Sequence, residues 1–191
     1  MPIESSMGVI YGYSITTKGF NRIQTSLPYE VQTQSFLSDC PVHDLDLVDI
    51  RFVFESKIAV KNYYPENILQ ACCNVKGSDP FKPFIELNSD ALVELNMNTE
   101  KLYLALEYEA SLKNLDRYKD KIDSYYWAGV RAVLYICQNK KILRALQKID
   151  QMISESHHKN PKLYFALYDK ALTDKGELLL TNILGHQFRI E

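Results

Sequence analysis

Arg131–Cys137, RAVLYIC, is an apolar run with no charge after Arg131. Such a run fits a central strand buried on both faces, and strands of that kind usually lie parallel to a neighbour. The segments on either side have a different period. Asn114–Gly129 carries Leu115, Tyr118, Ile122, Tyr125 and Tyr126 on one helical face and stops at Gly129. Lys140–Ser156 repeats the pattern with Ile142, Leu143, Leu146, Ile149 and Ile153. A buried strand between two amphipathic helices predicts an α/β fold with helices flanking a mixed sheet.

The upstream segments extend that layout. HDLDLVDIRFVFES, from His43, sets Leu45, Val48, Ile50 and Phe52 near helical spacing with Asp44, Asp46 and Asp49 between them. IRFVFES also alternates, which leaves a strand open; Pro41 and the early acids favour a helix start. Lys57–Tyr64 predicts a strand stopped by Pro65, and PENILQACC a short helix or turn. Phe84–Leu95 and Lys101–Ala110 predict a hairpin turned at Asn96–Glu100. Lys162–Tyr168 predicts a last strand and Leu178–Leu184 a short terminal helix. The step from Lys101 to Cys137 should be a parallel, right-handed crossover.

With 191 residues, 46% of them hydrophobic, the chain forms one domain or one domain with an appendage, and general disorder is excluded. A net charge of -2 excludes a wholly basic nucleic-acid binder, so contact with DNA needs a local patch. Cys40, Cys72, Cys73 and Cys137 form no C-x-x-C spacing and fit reduced thiols in a cytoplasmic protein. No apolar run approaches the roughly 18 residues of a membrane span. Residues 41–191 form the expected domain, and residues 1–40 an appendage. Within it, Y-x-I-T-x-K-G at Tyr13–Gly19 resembles the last wing strand of a winged-helix domain, with a plain edge strand as the alternative.

Ser89–Lys113 concentrates the chemistry. Side chains alternate across a strand, so Tyr103, Ala105, Glu107 and Glu109 share one face and Leu102, Leu104, Leu106 and Tyr108 the other. The apolar face should pack on a helix, leaving Glu107 and Glu109 to project together. If Asp90 opens the partner strand on the same face, three carboxylates converge, which suits Mg²⁺ or Mn²⁺ completed by waters and a phosphate. The alternative is a solvated acidic strand face. Lys113, Arg117, Lys119 and Lys121 make a basic helix start beside the acids, where a DNA phosphate could lie; Asp116 and Asp120 interrupt it.

Asp, then a hairpin, Glu-x-Glu, a helix and a parallel strand resemble the restriction-endonuclease-like αβββαβ core of PD-(D/E)XK nucleases. Ser89–Asp90 matches Pro–Asp without the proline, and Glu107-Tyr108-Glu109 matches (D/E)-x-K with Glu109 in place of lysine. HDLDLVDIRFVFE, Pro65–Glu66, SDALVEL, ALEYEASLK and the helix from Arg117 to Tyr125 are similar to the replication-relaxation family of plasmid and integrative-element proteins. The resemblance implies a Mg²⁺- or Mn²⁺-dependent DNA nuclease in which Asp90, Glu107 and Glu109 ligate metal, Asp49 or Glu66 adds an acid, and Lys113 orients water or phosphate. It implies DNA as partner, with other mobilisation or replication proteins and a second copy of the chain as further ones. A non-catalytic DNA-binding accessory protein on the same fold, and a plain interaction module, are the other expectations.

Overall fold

The computed structural model of the protein describes residues 2–5, 8–11, 40–71, 80–97, 100–173 and 176–191. Two short strands, β1 (Pro2–Ser5) and β2 (Gly8–Tyr11), pair antiparallel apart from the main sheet. The wing-like Tyr13–Gly19 lies outside the described residues.

From Pro41 the order is helix α1 (Pro41–Glu55), strand β3 (Val60–Pro65), short helices α2 (Glu66–Ala71) and α3 (Lys82–Glu86), strands β4 (Ala91–Met97) and β5 (Glu100–Glu109), helix α4 (Leu115–Trp127), strand β6 (Val133–Cys137), helix α5 (Lys140–Ser156), strand β7 (Leu163–Leu167), helix α6 (Tyr168–Thr173) and strands β8 (Leu178–Thr181) and β9 (Gln187–Ile190). Strands β3 to β9 form one seven-stranded mixed sheet in sequence order. Neighbours are antiparallel from β3 to β5, parallel from β5 to β7, and antiparallel again to β9. The parallel β5–α4–β6 step is as expected.

Helix α1 begins with proline at its first turn, where a missing N–H leaves no bond unmade. It buries Ile50 and Phe54, one turn apart, in a cluster that draws a residue from every strand of the sheet: Tyr63, Val93, Leu104, Leu134, Ala166, Leu178 and Ile190 among them. The sheet therefore curls around α1. Its two ends meet where the amide of Ala59, just before β3, donates to the carbonyl of Glu191, just after β9, at 2.9 Å. The opposite face packs on α4 and α5 through Leu92, Ala105, Tyr135, Leu163 and Phe165 against Tyr118, Ile122, Tyr125, Ile142 and Leu146. Strand β6 is buried at all five positions because helices cover both its faces.

Two segments differ from expectation. Lys82–Glu86 is helical where a strand was expected from Phe84, because a proline opens the turn. Asn88, at φ 49°, then reverses the chain in a conformation that asparagine tolerates, and β4 starts only at Ala91. Leu178–Thr181 is a strand and not a helix. Leu178 and Leu180 point inward while Leu179 is exposed, and an Asn182–Gly185 turn folds β9 back onto it. No helix among the described residues is long and apolar enough to cross a membrane.

If the curl depends on α1, Phe54→Ala should lower stability by about 3–5 kcal/mol. Phe52→Ala, at a side chain 65% exposed, should change it by less than about 0.5 kcal/mol. Urea midpoints measure both, and equal effects would contradict the assignment.

Candidate functional site

Pleating divides β5 as expected, but its surroundings differ. Leu104, Leu106 and Tyr108 join the α1 cluster, and Ala105 packs towards α4. Glu107 and Glu109 lie on the α4 side and are 3% and 5% exposed. The expectation of acids projecting from an uncovered face is corrected: α4 crosses over the C-terminal end of β5 and buries both. A buried carboxylate needs donors, and α4 supplies them.

For Glu107 the donors are Tyr125 and Lys121, one helical turn apart. The Tyr125 hydroxyl and the Lys121 Nζ, at 3.1 Å, both reach Oε1. Ser89, itself buried, bonds the Tyr125 hydroxyl at 2.7 Å. Lys121 also donates to the carbonyl of Asn88 at 2.9 Å, so the left-handed turn before Asp90 serves the same cation. Burial, and next the charge of Asp90, push Glu107 up to about 8, against the opposing pull of Lys121 and Tyr125.

Asp90 sits across the β4–β5 ladder from Glu107, one step beyond the Ala91–Leu106 pair. Its Oδ2 accepts the backbone N–H of Tyr108 at 2.7 Å, and its carbonyl accepts the amide of Glu66 at 2.8 Å. Glu66 opens α2, and its carboxyl is raised by partial burial and then by Asp90, while Lys121 pulls it down. Asp90 and Lys121 thus act on both Glu107 and Glu66 at the end of the hairpin.

The remaining expected residues separate from this group. Glu109 pairs through Oε2 with Lys113 at 2.9 Å and accepts the Tyr118 hydroxyl at 3.2 Å. Lys113 is therefore the partner of Glu109 and not of Glu107. Asp49 lies on the α1 side of the sheet, where it and Asp46 accept the Tyr168 hydroxyl at 3.3 and 3.1 Å. It cannot join Glu107 from there, whereas Glu66 feels the charges of Asp90 and Lys121. Of the basic residues, Lys119 pairs with Asp116 at 2.9 Å, and Arg117 is exposed and makes no ion pair among the described residues.

Lys121, read only as a phosphate contact, and Tyr125, read as a core aromatic, are the residues whose roles the sequence conceals. Their i, i+4 spacing is the one available signal, and it acquires meaning only when α4 is laid over Glu107.

Among the described residues, no three of His, Cys, Asp and Glu group as metal ligands. The donor chemistry nevertheless fits Mg²⁺ or Mn²⁺, which take one or two carboxylates with waters and substrate phosphate. Among the described residues Asp90 Oδ1 and Glu107 Oε2 receive no hydrogen bond, while each partner oxygen is held by donors. The chain matches no protein-family model, no curated protein and no solved structure with which it was compared.

In the fold Glu107 keeps its proton to about pH 8, whereas an unfolded glutamate ionises near pH 4.3. Its contribution to stability therefore falls as pH rises between those values. Glu107→Gln keeps an acceptor for Tyr125 and Lys121 and removes that slope. In chelator, the variant should exceed wild type by on the order of 2–4 kcal/mol near pH 8.5 and by little near pH 4. Urea unfolding at both pH values checks this, and parallel pH profiles would contradict it.

Proposed function

We propose that this chain is a DNA-processing phosphodiesterase of the restriction-endonuclease-like kind, built around Asp90 and Glu107. The observation that carries the reading is the meeting, at one end of the β4–β5 hairpin, of two carboxylates with a lysine donating to one of them. The element order supports it: α1, then β3, β4 and β5 antiparallel, then α4 and a parallel β6. Under this reading Lys121, reaching in from α4, takes the place of the lysine that Glu109 displaces from the strand motif. The same reading makes the chain a cytoplasmic protein of a plasmid or integrative element, related to the replication-relaxation proteins.

Asp90 and Glu107 would hold a divalent ion, with Glu66, whose carboxyl feels the charge of Asp90, as a further acid beside them. Bound there, Mg²⁺ or Mn²⁺ supplies Lewis-acid polarisation of a phosphodiester and lowers the pKa of a coordinated water. The chain's own groups set up that chemistry. The Tyr108 amide fixes Asp90, Tyr125 and Lys121 fix Glu107, and the Lys121 ammonium can shift to a phosphate oxygen once the carboxylate is otherwise neutralised. Arg117 and Lys119, exposed or half-exposed on α4, lie where the DNA backbone would approach.

A second reading, a non-catalytic DNA-binding or replication accessory protein on the same fold, is favoured by one observation: Lys121 and Tyr125 already saturate Glu107 Oε1 without metal. Plasmid relaxation separates the two. Supercoiled DNA with Mg²⁺ or Mn²⁺ should be nicked or cut by wild type. Glu107→Ala and Lys121→Ala should lose about 100-fold or more in rate, as expected for removing groups that stabilise transition-state charge. Lys113→Ala should keep most of the activity. Equal metal-dependent rates for wild type and Glu107→Ala would refute the enzymatic reading.

A further inference from the structure

Tyr125 and Ser89 do more than satisfy a buried acid, and the asymmetry of the Glu107 carboxylate shows how. Both donors, the Tyr125 hydroxyl and Lys121, converge on Oε1, and none among the described residues reaches Oε2. A cation would be bound by the ionised form of Glu107, and an ionised carboxylate is an acceptor only. With the Tyr125 proton directed at Glu107, the Tyr125 oxygen is left to accept from Ser89, so the chain runs Ser89 to Tyr125 to Glu107. All three side chains are buried, and the Glu107 carboxylate cannot turn without giving up its hydrogen bond from the Tyr125 hydroxyl in the interior.

A carboxylate with one oxygen held in this way can offer a cation only the other. It binds monodentate. Mg²⁺ and Mn²⁺ accept monodentate carboxylates in an octahedron completed by water, whereas Ca²⁺ takes six to eight oxygens and commonly gains from bidentate carboxylates. Building on the reading that Asp90 and Glu107 share a divalent cation, we infer that Tyr125, held by Ser89, is a specificity-determining residue that keeps Glu107 monodentate and so selects a small octahedral cation over Ca²⁺. The conformation of Asp90 sharpens the effect, because its Oδ2 is likewise held by the Tyr108 amide, leaving one oxygen free.

Titration calorimetry with MnCl₂ and with CaCl₂, on the metal-free full chain, tests the inference. Wild type should bind Mn²⁺ more tightly than Ca²⁺. In Tyr125→Phe, Oε1 keeps Lys121 alone and becomes available to a second metal bond. The Mn²⁺-to-Ca²⁺ affinity ratio should then fall about tenfold, the scale of one charge-assisted hydrogen bond. Ser89→Ala, a milder change should Tyr125→Phe fold poorly, should lower the ratio in the same direction by a smaller factor. A structural role alone would weaken both ions by the same factor, and an unchanged ratio in folded variants overturns the inference while leaving the metal site standing. Wild type that binds neither ion, or binds Ca²⁺ as tightly as Mn²⁺, overturns it as well; the first of these removes the shared-cation reading with it.

Discussion

Strand β5 is covered by helices on both faces and yet carries two carboxylates near its end. That constraint organises the α4 side of the molecule. A charged group taken out of water must be neutralised or paired, and both acids find their partners on α4 or in the loop that leads to it. Lys113 and Tyr118 serve Glu109; Lys121 and Tyr125 serve Glu107. Helix α4 is thereby registered over the sheet by polar bonds as well as by Ile122 and its apolar neighbours. The curl of the sheet around α1 fixes the other face, so the hairpin end is held from two sides.

The two acids are not equivalent. Glu109 has a lysine four residues away, and the two form an ion pair at 2.9 Å. Glu107 faces Asp90, and Glu66 stands nearby, so ionising Glu107 would give the group more negative charge than Lys121 alone offsets. Replacing a buried ion pair by apolar groups of similar volume is often neutral or stabilising, so such a pair is weak evidence for a role in stability. Its presence therefore calls for a reason outside folding. A cation shared between Asp90 and Glu107 would provide one, and Lys121 would then be the group that stands in before it arrives.

Much of the scaffold is legible in the sequence because it rests on local periodicity. The 3.6-residue pattern of Lys140–Ser156 sets α5 to its ends, and the unbroken run at Val133–Cys137 implies cover on both faces of β6. Short segments resist the same treatment. Pro83 turns FKPFIEL into a helix followed by a reversal at Asn88, and Leu178–Leu180 is too brief for any period to show. The site divides in the same way. Which residues of β5 share a face follows from pleating alone, whereas the placement of Asp90 opposite Glu107 also needs the hairpin register. Which face lies under α4, and that Asp49 belongs to the other side, depends on how helices cross the sheet. The bond from Lys121 to Glu107 spans the whole β5–α4 connection, and no spacing in the chain announces it.

Under the proposed reading, Asp90 and Glu107 belong to one cation site and Glu109 does not. Anomalous scattering from crystals soaked in MnCl₂ tests it most directly. The expected result is a single strong peak between the Asp90 and Glu107 carboxylates, with Lys121 displaced from Oε1 towards solvent or phosphate and the Glu109–Lys113 pair intact. A map with no peak at Glu107, or with the ion at Glu109 in place of Lys113, would contradict it.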